Sequence, residues 1–242
     1  MKVIILAGGK GTRISEYTKT IPKPMIKIGK KPILLHIINH YFKYGIKEFY
    51  IALGYKSNIV KNYFKNFKKF DQPFFLKINK KKISITLSYT GINTLTGGRI
   101  KRMSKFIDKK ENFMFTYGDG VSNVNIKKLM EFHKKNKKMI TVTAVRPPAR
   151  FGEITIKNKR VDTFKEKPQV KEGWINGGFF VANHKFFKFI KNDKTILENE
   201  PLEKATKVKQ LYAYKHQGFW KCMDTYRDKE VLEKIFKKNK FY

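Results

Sequence analysis

Glycines, a hydroxyl and two cationic side chains stand together near the start of the chain. The apolar run Val3–Ala7 leads into Gly8-Gly9-Lys10-Gly11-Thr12-Arg13, and Pro22-Lys23-Pro24 follows further on. Glycine tolerates positive φ and lets the backbone come close to a ligand, so the N–H groups of such a loop can point at phosphate oxygens. The two prolines predict a stiff, extended backbone at the lysine. The segment therefore predicts a site for a nucleoside triphosphate.

Two common phosphate-binding loops do not fit this segment. A Walker A loop requires Gly-Lys-Ser/Thr, and here Gly9-Lys10 is followed by Gly11. The dinucleotide fingerprint Gly-x-Gly-x-x-Gly fails because Ile14 stands at its last position. For the loop taken alone, an ordinary glycine-rich turn between a strand and a helix is the alternative.

Two aspartates far apart in the sequence are candidate metal ligands. Asp119 stands in Gly118-Asp119-Gly120 after an apolar strand-like run, and Asp224 stands in Met223-Asp224-Thr225 before the last helix-like segment. Each has a simpler interpretation by itself, since Asp119 could stabilise a turn and Asp224 could be a helix N-cap. Magnesium binds one or two carboxylates and takes its other ligands from water and substrate phosphates. Together the two aspartates predict a Mg²⁺ site.

Segments this far apart need a scaffold that brings them together. The predicted strands are Lys2–Ala7, Glu48–Leu53, Ile83–Tyr89, Phe113–Tyr117, Ile140–Val145, Glu153–Ile156, Val161–Lys165 and Ile175–Ala182. The predicted helices are Pro32–Tyr44, Asn58–Phe67, Gly98–Ile107, Asn125–Asn136, a short one at Lys185–Ile190 and Thr225–Lys238. Their order predicts an α/β fold, a Rossmann-like and mostly parallel mixed sheet flanked by helices. Ligands of such sheets bind outside the carboxyl ends of the strands, where the glycine loop stands.

Composition bounds the class of protein. The 242 residues suit one large domain, and 41% hydrophobic residues argue against disorder. The formal net charge is +35, but only seven of the 54 basic residues are arginine. Nucleic-acid readers favour the bidentate arginine fork, so we expect a solvated lysine surface and no specific nucleic-acid partner. Where lysine is the default cation, a retained arginine such as Arg13 or Arg99 indicates a need for a planar guanidinium.

The chain contains a single cysteine, Cys222, and no apolar run of membrane-spanning length. The run Val3–Ala7 is too short for the core of a signal peptide. With no intrachain disulfide possible, a reducing compartment is expected. We therefore expect a cytoplasmic protein that does not contact a membrane.

The combined motifs resemble those of the sugar-1-phosphate nucleotidyltransferase family. Its N-terminal signature is similar to Leu6-Ala7-Gly8-Gly9-x-Gly11-Thr12-Arg13 with Pro22-Lys23-Pro24-Met25, and its two metal-binding aspartates are similar to Asp119 and Asp224. Further pieces fall in family order, namely Thr96-Gly97-Gly98-Arg99, Arg150-Phe151-Gly152-Glu153, Glu166-Lys167-Pro168 and Ile175-Asn176-Gly177-Gly178-Phe179-Phe180. The resemblance covers both ends of the chain and implies the family's GT-A-like fold, with a small β-rich sugar-binding portion.

The resemblance also assigns roles to residues. It implies a single domain, 1–242, whose residues 1–120 mainly bind the nucleotide and whose residues 121–242 mainly bind the sugar phosphate. The implied nucleotide-binding residues are Leu6, Ala7, Gly8, Gly9, Gly11, Thr12, Arg13, Lys23, Thr94, Arg99 and Gly118. The implied sugar-phosphate residues are Glu166, Lys167, Asn176 and Gly177, although Glu166-Lys167-Pro168 alone would suit a solvated loop. The implied catalytic residues are Arg13, Lys23, Asp119 and Asp224, with Mg²⁺ on the two aspartates.

One subgroup of the family fits best, the cytidylyltransferases that act on glucose 1-phosphate. The residues that carry this likeness are Tyr117–Val121, Arg150-Phe151-Gly152, Ile175–Phe180 and the stretch from Gly218 to Asp228. The resemblance implies a Mg²⁺-dependent transfer from CTP to α-D-glucose 1-phosphate, giving CDP-glucose and pyrophosphate. It also implies a homo-oligomer and a first step towards CDP-linked deoxysugars of surface polysaccharide, such as lipopolysaccharide O-antigen.

Two alternatives stay open, and two departures from the family pattern stand out. Uridylyl or thymidylyl transfer to a hexose 1-phosphate uses the same opening motif, and a non-catalytic nucleotide-sugar sensor could retain the fold. Lys10 stands where the family usually has an uncharged residue, which could alter phosphate affinity. The lysine-rich segment Asp71–Lys82 looks shorter than in typical members, so the resemblance supports no oligomer contact there.

Overall fold

A central sheet of eight strands runs through the computed structural model, which describes residues 1–147, 153–165 and 173–238. The strands of the described residues are β1 (Lys2–Ala7), β2 (Lys27–Ile28), β3 (Lys31–Pro32), β4 (Glu48–Leu53), β5 (Pro73–Ile78), β6 (Lys81–Tyr89), β7 (Asn112–Tyr117), β8 (Gly120–Ser122), β9 (Ile140–Val145), β10 (Glu153–Lys157), β11 (Arg160–Lys165), β12 (Ile175–Asn183), β13 (Leu211–His216) and β14 (Trp220–Cys222).

Helices connect most of these strands. The α-helices are α1 (Ser15–Thr18), α2 (Ile33–Lys43), α3 (Ser57–Tyr63), α4 (Thr96–Arg102), α5 (Ile126–Asn136), α6 (Glu200–Lys207) and α7 (Tyr226–Lys237). Short 3-10 helices lie at Thr12–Ile14, Lys23–Met25, Met103–Phe106 and His184–Phe189. No helix in the described ranges has both the length and the apolarity needed to cross a bilayer.

The central sheet is mixed and mostly parallel, as predicted. Its strand order is β13-β9-β12-β7-β1-β4-β6-β5. Strands β1, β4, β6 and β7 run in one direction, as the parallel pairings show. Strand β12 lies antiparallel to both β7 and β9, and β5 lies antiparallel to β6 at the edge. Strand β9 and its parallel neighbour β13 run in the same direction as β7, so the carboxyl ends of six strands meet at one edge of the sheet.

Strand β1 lies at the centre of the sheet and is buried on both faces. Successive side chains of a strand point to opposite faces. Ile5 accordingly belongs to a core with α2 residues such as Ile37, whereas Ile4 belongs to a core with the α4 residue Ile100. Helices thus cover both faces, which confirms the predicted α/β class and explains why β1 is a continuous apolar run.

The sequence prediction was least accurate at the sheet edges. The bounds of β1, β4 and β9 are those predicted, but β5, β13 and α6 were not predicted. Strand β13 is an edge strand whose residues are half-buried or exposed, so it has no apolar run to reveal it. Strand β5 begins with Pro73, which an edge strand tolerates because that residue needs no ladder donor.

Three helix predictions needed correction. The helix expected to reach Phe67 ends at Tyr63, because Phe64 turns to an extended backbone and buries its ring. The helix expected over Gly98–Ile107 is α4 followed by a 3-10 turn. The helix expected over Thr225–Lys238 is α7, which begins one residue later at Tyr226 because Thr225 is its N-cap; the Tyr226 ring is half exposed and stacks on Tyr17 at a centroid distance of 6.0 Å.

Candidate active site

A small two-stranded sheet brings the two predicted metal ligands together. Strand β8 follows Asp119, and it pairs with β14, which precedes Asp224. The backbone N–H of Met223 donates to the carbonyl of Asp119 at 2.9 Å and continues this pairing. Two aspartates that are 105 residues apart in the chain therefore face one another at the carboxyl edge of the central sheet.

Lys23 lies between the two carboxylates. Its Nζ donates to Asp119 Oδ2 at 2.7 Å and to Asp224 Oδ1 at 2.6 Å. Burial by itself would lower the pKa of Lys23, but the charges of and hydrogen bonds to both aspartates outweigh burial and raise it. The residue is 8% exposed, so this ammonium is held in place and charged at neutral pH.

Arg13 completes a group of four charges, called the charge cluster below: Arg13, Lys23, Asp119 and Asp224. Its Nη1 donates to Asp224 Oδ2 at 2.8 Å, while 76% of its side chain is exposed. Burial would raise the pKa of Asp224, but the hydrogen bond and charge of Lys23 and the charge of Arg13 lower it. The cluster thus combines two basic and two acidic side chains and is open to solvent on the side of Arg13.

Two local expectations about this cluster are settled by the backbone. The extended backbone expected at Lys23 is wrong, because Lys23 begins a 3-10 helix closed by the bond from Met25 N–H to the Pro22 carbonyl at 2.8 Å. Asp224 is not the N-cap of α7, since Thr225 caps that helix with Asp228 in a capping box. Its carboxylate is therefore free of that role and turns to Lys23 and Arg13.

The glycine loop follows β1 and opens to solvent. Gly9 and Thr12 are exposed, whereas Leu6 and Ala7 are buried in the cores and can offer only backbone groups to a ligand. Gly11 has φ 66°, in the left-handed region, and a Cβ there would lie 2.9 Å from Thr18 Cγ2. Among the described residues, no acceptor takes a hydrogen bond from the amides of Gly9, Lys10 and Gly11. These amides remain available for an anion.

A second glycine brings β7 against β1. A Cβ on Gly118 would lie 2.6 Å from the Leu6 carbonyl oxygen and 3.0 Å from Pro24 Cγ. Only glycine allows this approach, which places Asp119 beside the segment that carries Lys23. A Cβ on Gly120 would meet open space, so the second glycine of the motif has no such requirement.

Arg99 is buried beneath the glycine loop and hydrogen-bonds to it at Gly8. Its guanidinium donates to the carbonyls of Gly8 at 2.9 Å, Leu53 at 3.1 Å and Gly91 at 2.8 Å, and to Thr90 Oγ1 at 2.7 Å. Arg99 with these four oxygen atoms is called the arginine clamp below. A Cβ on Gly8 would lie 2.2 Å from Arg99 Nη1, so glycine there makes room for the guanidinium.

The clamp holds a positive charge without a carboxylate partner among the residues it contacts. Burial lowers the pKa of Arg99 to about 10, so it keeps its charge at neutral pH. The sequence analysis placed Arg99 and Thr94 on the nucleotide, yet they are 4% and 6% exposed. Their direct contact with a nucleotide stays a prediction, whereas the support that Arg99 gives to Gly8 is a finding.

The glycine pair at the start of α4 serves packing. A Cβ on Gly98 would lie 2.5 Å from the Cα and carbonyl oxygen of Asp193, and one on Gly97 would lie 2.9 Å from the Thr195 carbonyl. The N–H groups of both glycines donate to that Thr195 carbonyl. The pair thus explains how residues 193–198 pack against α4.

The sugar side of the site is described in part. Glu166 and Lys167 lie outside the described residues. Asn176 is exposed at the start of β12, and its Nδ2 donates to the Tyr117 hydroxyl at 3.1 Å. The Gly177 carbonyl accepts from Trp220 Nε1 at 2.7 Å, and a Cβ on Gly177 would lie 2.7 Å from Val145 Cγ1. Gly177 therefore offers only backbone, while Asn176 presents its amide to the site.

Three side chains beside the site were given no role by the sequence analysis. The Tyr117 hydroxyl donates to Glu198 Oε1, and the Thr96 hydroxyl donates to Glu198 Oε2 at 2.8 Å. Tyr117 and Thr96 stand inside quoted motifs, so their position next to Gly118 and Gly97 was a usable signal. Glu198 stands in no motif, and only the packing of its loop on α4 reveals it.

The cysteine beside the cluster is not a nucleophile. Cys222 is half-buried, and its Sγ lies 3.5 Å from Asp224 Oδ2. Burial and the charges of Asp224 and Asp119 raise the pKa of the thiol to about 12. The thiol is therefore protonated at neutral pH, which suits a direct transfer without a covalent enzyme intermediate.

The donors of the charge cluster suit a hard divalent cation. Both aspartates lie within hydrogen-bonding distance of the Lys23 ammonium, so the two carboxylates can reach one cation together. Carboxylate oxygens are the ligands that Mg²⁺ prefers. Within the described ranges no group of three or more His, Cys, Asp or Glu could hold a metal. Two carboxylates with substrate phosphates, rather than an all-protein cage, is the coordination typical of Mg²⁺.

Comparisons with known proteins agree with this geometry. Residues 2–226 match the family model described as nucleotidyl transferase. The chain is 45% identical over 250 residues to a glucose-1-phosphate cytidylyltransferase of Salmonella typhimurium, covering 99% of this chain and 97% of that protein. It is 39% identical over 246 residues to a probable glucose-1-phosphate cytidylyltransferase of Bacillus subtilis, covering 98% of this chain and 96% of that protein.

A solved structure shows the same fold at low identity. UDP-glucose pyrophosphorylase complexed with UDP-glucose has a TM-score of 0.73 and 17% sequence identity to this chain, with 98% of each chain covered. At that identity the likeness concerns the fold alone.

Proposed function

The chain belongs to the nucleotidyl transferase family, and from that premise we propose that it transfers a cytidylyl group from CTP to α-D-glucose 1-phosphate, giving CDP-glucose and pyrophosphate. The observation that carries the proposal is the 45% identity to a glucose-1-phosphate cytidylyltransferase over 99% of the chain. The charge cluster at the carboxyl edge of the sheet supplies the chemistry that such a transfer requires.

The transfer is a direct displacement at phosphorus. An oxygen of the sugar phosphate attacks the α-phosphorus of CTP, a new P–O bond forms, and the bond to the leaving pyrophosphate breaks. The attacking oxygen is already anionic, so no general base is needed. Phosphoryl transfer asks the protein chiefly to position the groups and to neutralise their charge. The cations of the cluster and the free amides of the glycine loop do both.

Lys23 can reach the nucleotide without leaving the carboxylates. An ammonium has three N–H donors, and two of them are used by Asp119 and Asp224. The third is available for a phosphate oxygen of CTP. Arg13 is exposed and carries a planar fork, which suits two oxygens of the triphosphate. The amides of Gly9–Gly11 hold the part of the triphosphate that leaves as pyrophosphate.

Asp119 and Asp224 would hold Mg²⁺ when the site is loaded. The metal would supply Lewis-acid neutralisation of the phosphate charge. The remaining work falls to protein groups: Lys23 and Arg13 orient the triphosphate, Lys167 steers the sugar phosphate, and Glu166, Asn176 and the Gly177 backbone meet the sugar hydroxyls. We place the enzyme in the cytoplasm as a homo-oligomer, where CDP-glucose would enter the synthesis of CDP-linked deoxysugars.

The proposal is tested by identifying the product. Purified protein is incubated with CTP, glucose 1-phosphate and Mg²⁺, and CDP-glucose and pyrophosphate are measured by mass spectrometry and a coupled assay. We expect equal amounts of both, and no product after chelation with EDTA. Absence of CDP-glucose from folded, Mg²⁺-supplied protein contradicts the proposal, and activity that survives EDTA contradicts the metal assignment. Light scattering on the same sample tests the homo-oligomer.

A further inference from the structure

Glu198 connects the two halves of the site. It lies in the loop between the 3-10 helix His184–Phe189 and α6, and it accepts hydrogen bonds from the hydroxyls of Tyr117 and Thr96. Its loop is fixed in turn, because the Leu197 N–H donates to Thr96 Oγ1 at 2.9 Å and the Leu197 side chain is fully buried. The carboxylate is thus solvent-exposed but held on both oxygens.

The hydrogen bonds that lead to Glu198 form a chain, in which Asn176 donates to Tyr117 and Tyr117 donates to Glu198. A phenol has one proton, and Tyr117 gives it to Glu198. The Tyr117 oxygen is therefore an acceptor, and it takes the Nδ2 of Asn176 at 3.1 Å. The Oδ1 of Asn176 accepts from the Gly178 N–H at 2.8 Å, which assigns the amide orientation. Glu198 thus holds the phenol whose oxygen accepts the Nδ2 end of the Asn176 amide, while the Gly178 N–H holds its Oδ1 end.

Tyr117 itself has little freedom. A Cβ on Gly178 would lie 2.6 Å from Tyr117 Cδ2, so the backbone at Gly178 packs directly on the ring. The ring is held at its face by Gly178 and at its tip by Glu198, two residues before Asp119 in the chain.

The negative charge of Glu198 suits an uncharged part of a ligand that carries hydroxyl groups. Each oxygen of a carboxylate can accept more than one hydrogen bond, and an exposed carboxylate attracts hydroxyls and repels phosphate. The cations of the charge cluster lie with Asp119 and Asp224 instead. A sugar 1-phosphate therefore meets cations at its phosphate and the Glu198, Tyr117 and Asn176 group at its hydroxyls.

We propose that Glu198 is a positioning residue for the sugar 1-phosphate: it holds the Tyr117 phenol and, through it, the Asn176 amide in the orientation that receives the hexose hydroxyls. This inference rests on the proposed function and adds a residue from outside the recognised motifs. The group of Glu198, Tyr117 and Asn176 contacts neither Lys23 nor Arg13. The recognition of the sugar is therefore separate from that of the nucleotide.

The test is a split between the KM values of the two substrates. Glu198→Ala is expected to raise KM for glucose 1-phosphate about tenfold or more while KM for CTP changes by less than about twofold, because hydrogen bonds to a charged group are lost only on the sugar side. Tyr117→Phe should match it, and the double variant should be no worse than either single one. Glu198→Gln retains an acceptor for the phenol and should recover most of the loss.

The matched control is Glu203→Ala, an exposed glutamate on α6 whose removal changes the charge equally; its KM values should equal those of the wild type. Wild-type protein that makes no CDP-glucose contradicts the proposed function. With active wild type, an unchanged KM for glucose 1-phosphate in Glu198→Ala, or additive losses in the double variant, overturns the role of Glu198. If Glu198→Ala does not fold, Tyr117→Phe, which removes the bonds of the phenol to both Glu198 and Asn176, tests the same group through the KM for glucose 1-phosphate.

Discussion

The charge cluster and the arginine clamp both use arginine beside the glycine loop, but in opposite environments. In the cluster, Arg13 is 76% exposed at its side chain and its charge is matched by Asp224. In the clamp, Arg99 is 4% exposed and is surrounded by carbonyl oxygens. Both residues stand in motifs whose resemblance to the family implied contact with the nucleotide, and Arg13 was also expected to be catalytic. The structure separates them by what each guanidinium contacts.

The difference concerns which interactions a ligand can replace. Ion pairs that are partly exposed can exchange partners when phosphates and a metal arrive, so the cluster suits the chemistry. A buried guanidinium that donates to backbone carbonyls cannot exchange partners in this way. If the guanidinium moved, several buried polar groups would lose their hydrogen bonds. We therefore expect cluster variants to lose activity and keep stability, and clamp variants to lose stability first.

The largest effect is expected from Asp119→Asn. Losing one carboxylate of the cluster should lower turnover by about a hundredfold or more, since charge neutralisation at the phosphates is the main catalytic term. Unfolding free energy should change by less than about 1 kcal/mol, because Asp224 keeps its ion pair with Lys23 and the asparagine amide oxygen can still accept from Nζ. Pyrophosphate release and thermal melting measure the two. Asp162→Asn, an exposed aspartate on β11, is the control. Near wild-type turnover in Asp119→Asn would falsify the metal assignment.

The clamp is tested by Arg99→Met. Removing the guanidinium leaves buried carbonyls short of donors, and we expect a loss of about 2–4 kcal/mol in unfolding free energy by urea denaturation. Gly8→Ala should also destabilise the protein, because its Cβ would lie 2.2 Å from Arg99 Nη1. In the Arg99→Met background that cost should shrink but not vanish, since the clash with the guanidinium is gone while the Gly54 backbone nitrogen stays 2.8 Å from the new Cβ. A variant of Arg99 with full stability but a raised KM for CTP would instead make Arg99 a nucleotide ligand.

A smaller loss of activity is expected from Arg13→Lys. The lysine keeps the charge but loses the planar fork, so turnover should fall about tenfold while the melting temperature stays unchanged. The measurement is pyrophosphate release at saturating CTP. If activity is unchanged, the argument that retained arginines mark a need for a guanidinium fails at this position.

The smallest effect is expected on the stability of the protein at low pH. Lys23 and Arg13 hold the pKa of Asp224 below its ordinary value of 3.8. As pH falls from about 5 to about 3, the unfolded chain takes up the proton first, so stability falls with pH. Asp224→Asn should flatten that slope by less than about 1 kcal/mol in urea titrations at several pH values. Asp162→Asn should keep the wild-type slope, and an equal slope in both variants contradicts the coupling.

The sequence predicted the parts that local patterns encode. The apolar run before Gly8 could only be a central strand, and the two-part motif around Lys23 identified the family. What it missed depends on long-range packing. The pairing of Asp119 with Asp224 was predicted, but the strands that bring them together, β8 and β14, are too short to show a pattern. The position of Glu198 follows from the fit of its loop against Gly97 and Gly98. The burial of Arg99 could not be read from its motif.

The most direct measurement of the central claim is nucleotide preference. Pyrophosphate release is followed with Mg²⁺ and glucose 1-phosphate while CTP, UTP, dTTP and ATP are offered in parallel. The account predicts strong preference for CTP, with Asp119→Asn inactive towards all four. Preference for UTP or dTTP would contradict the cytidylyl assignment and keep the chemistry of the charge cluster. No release with any of the four, in folded protein, would contradict both.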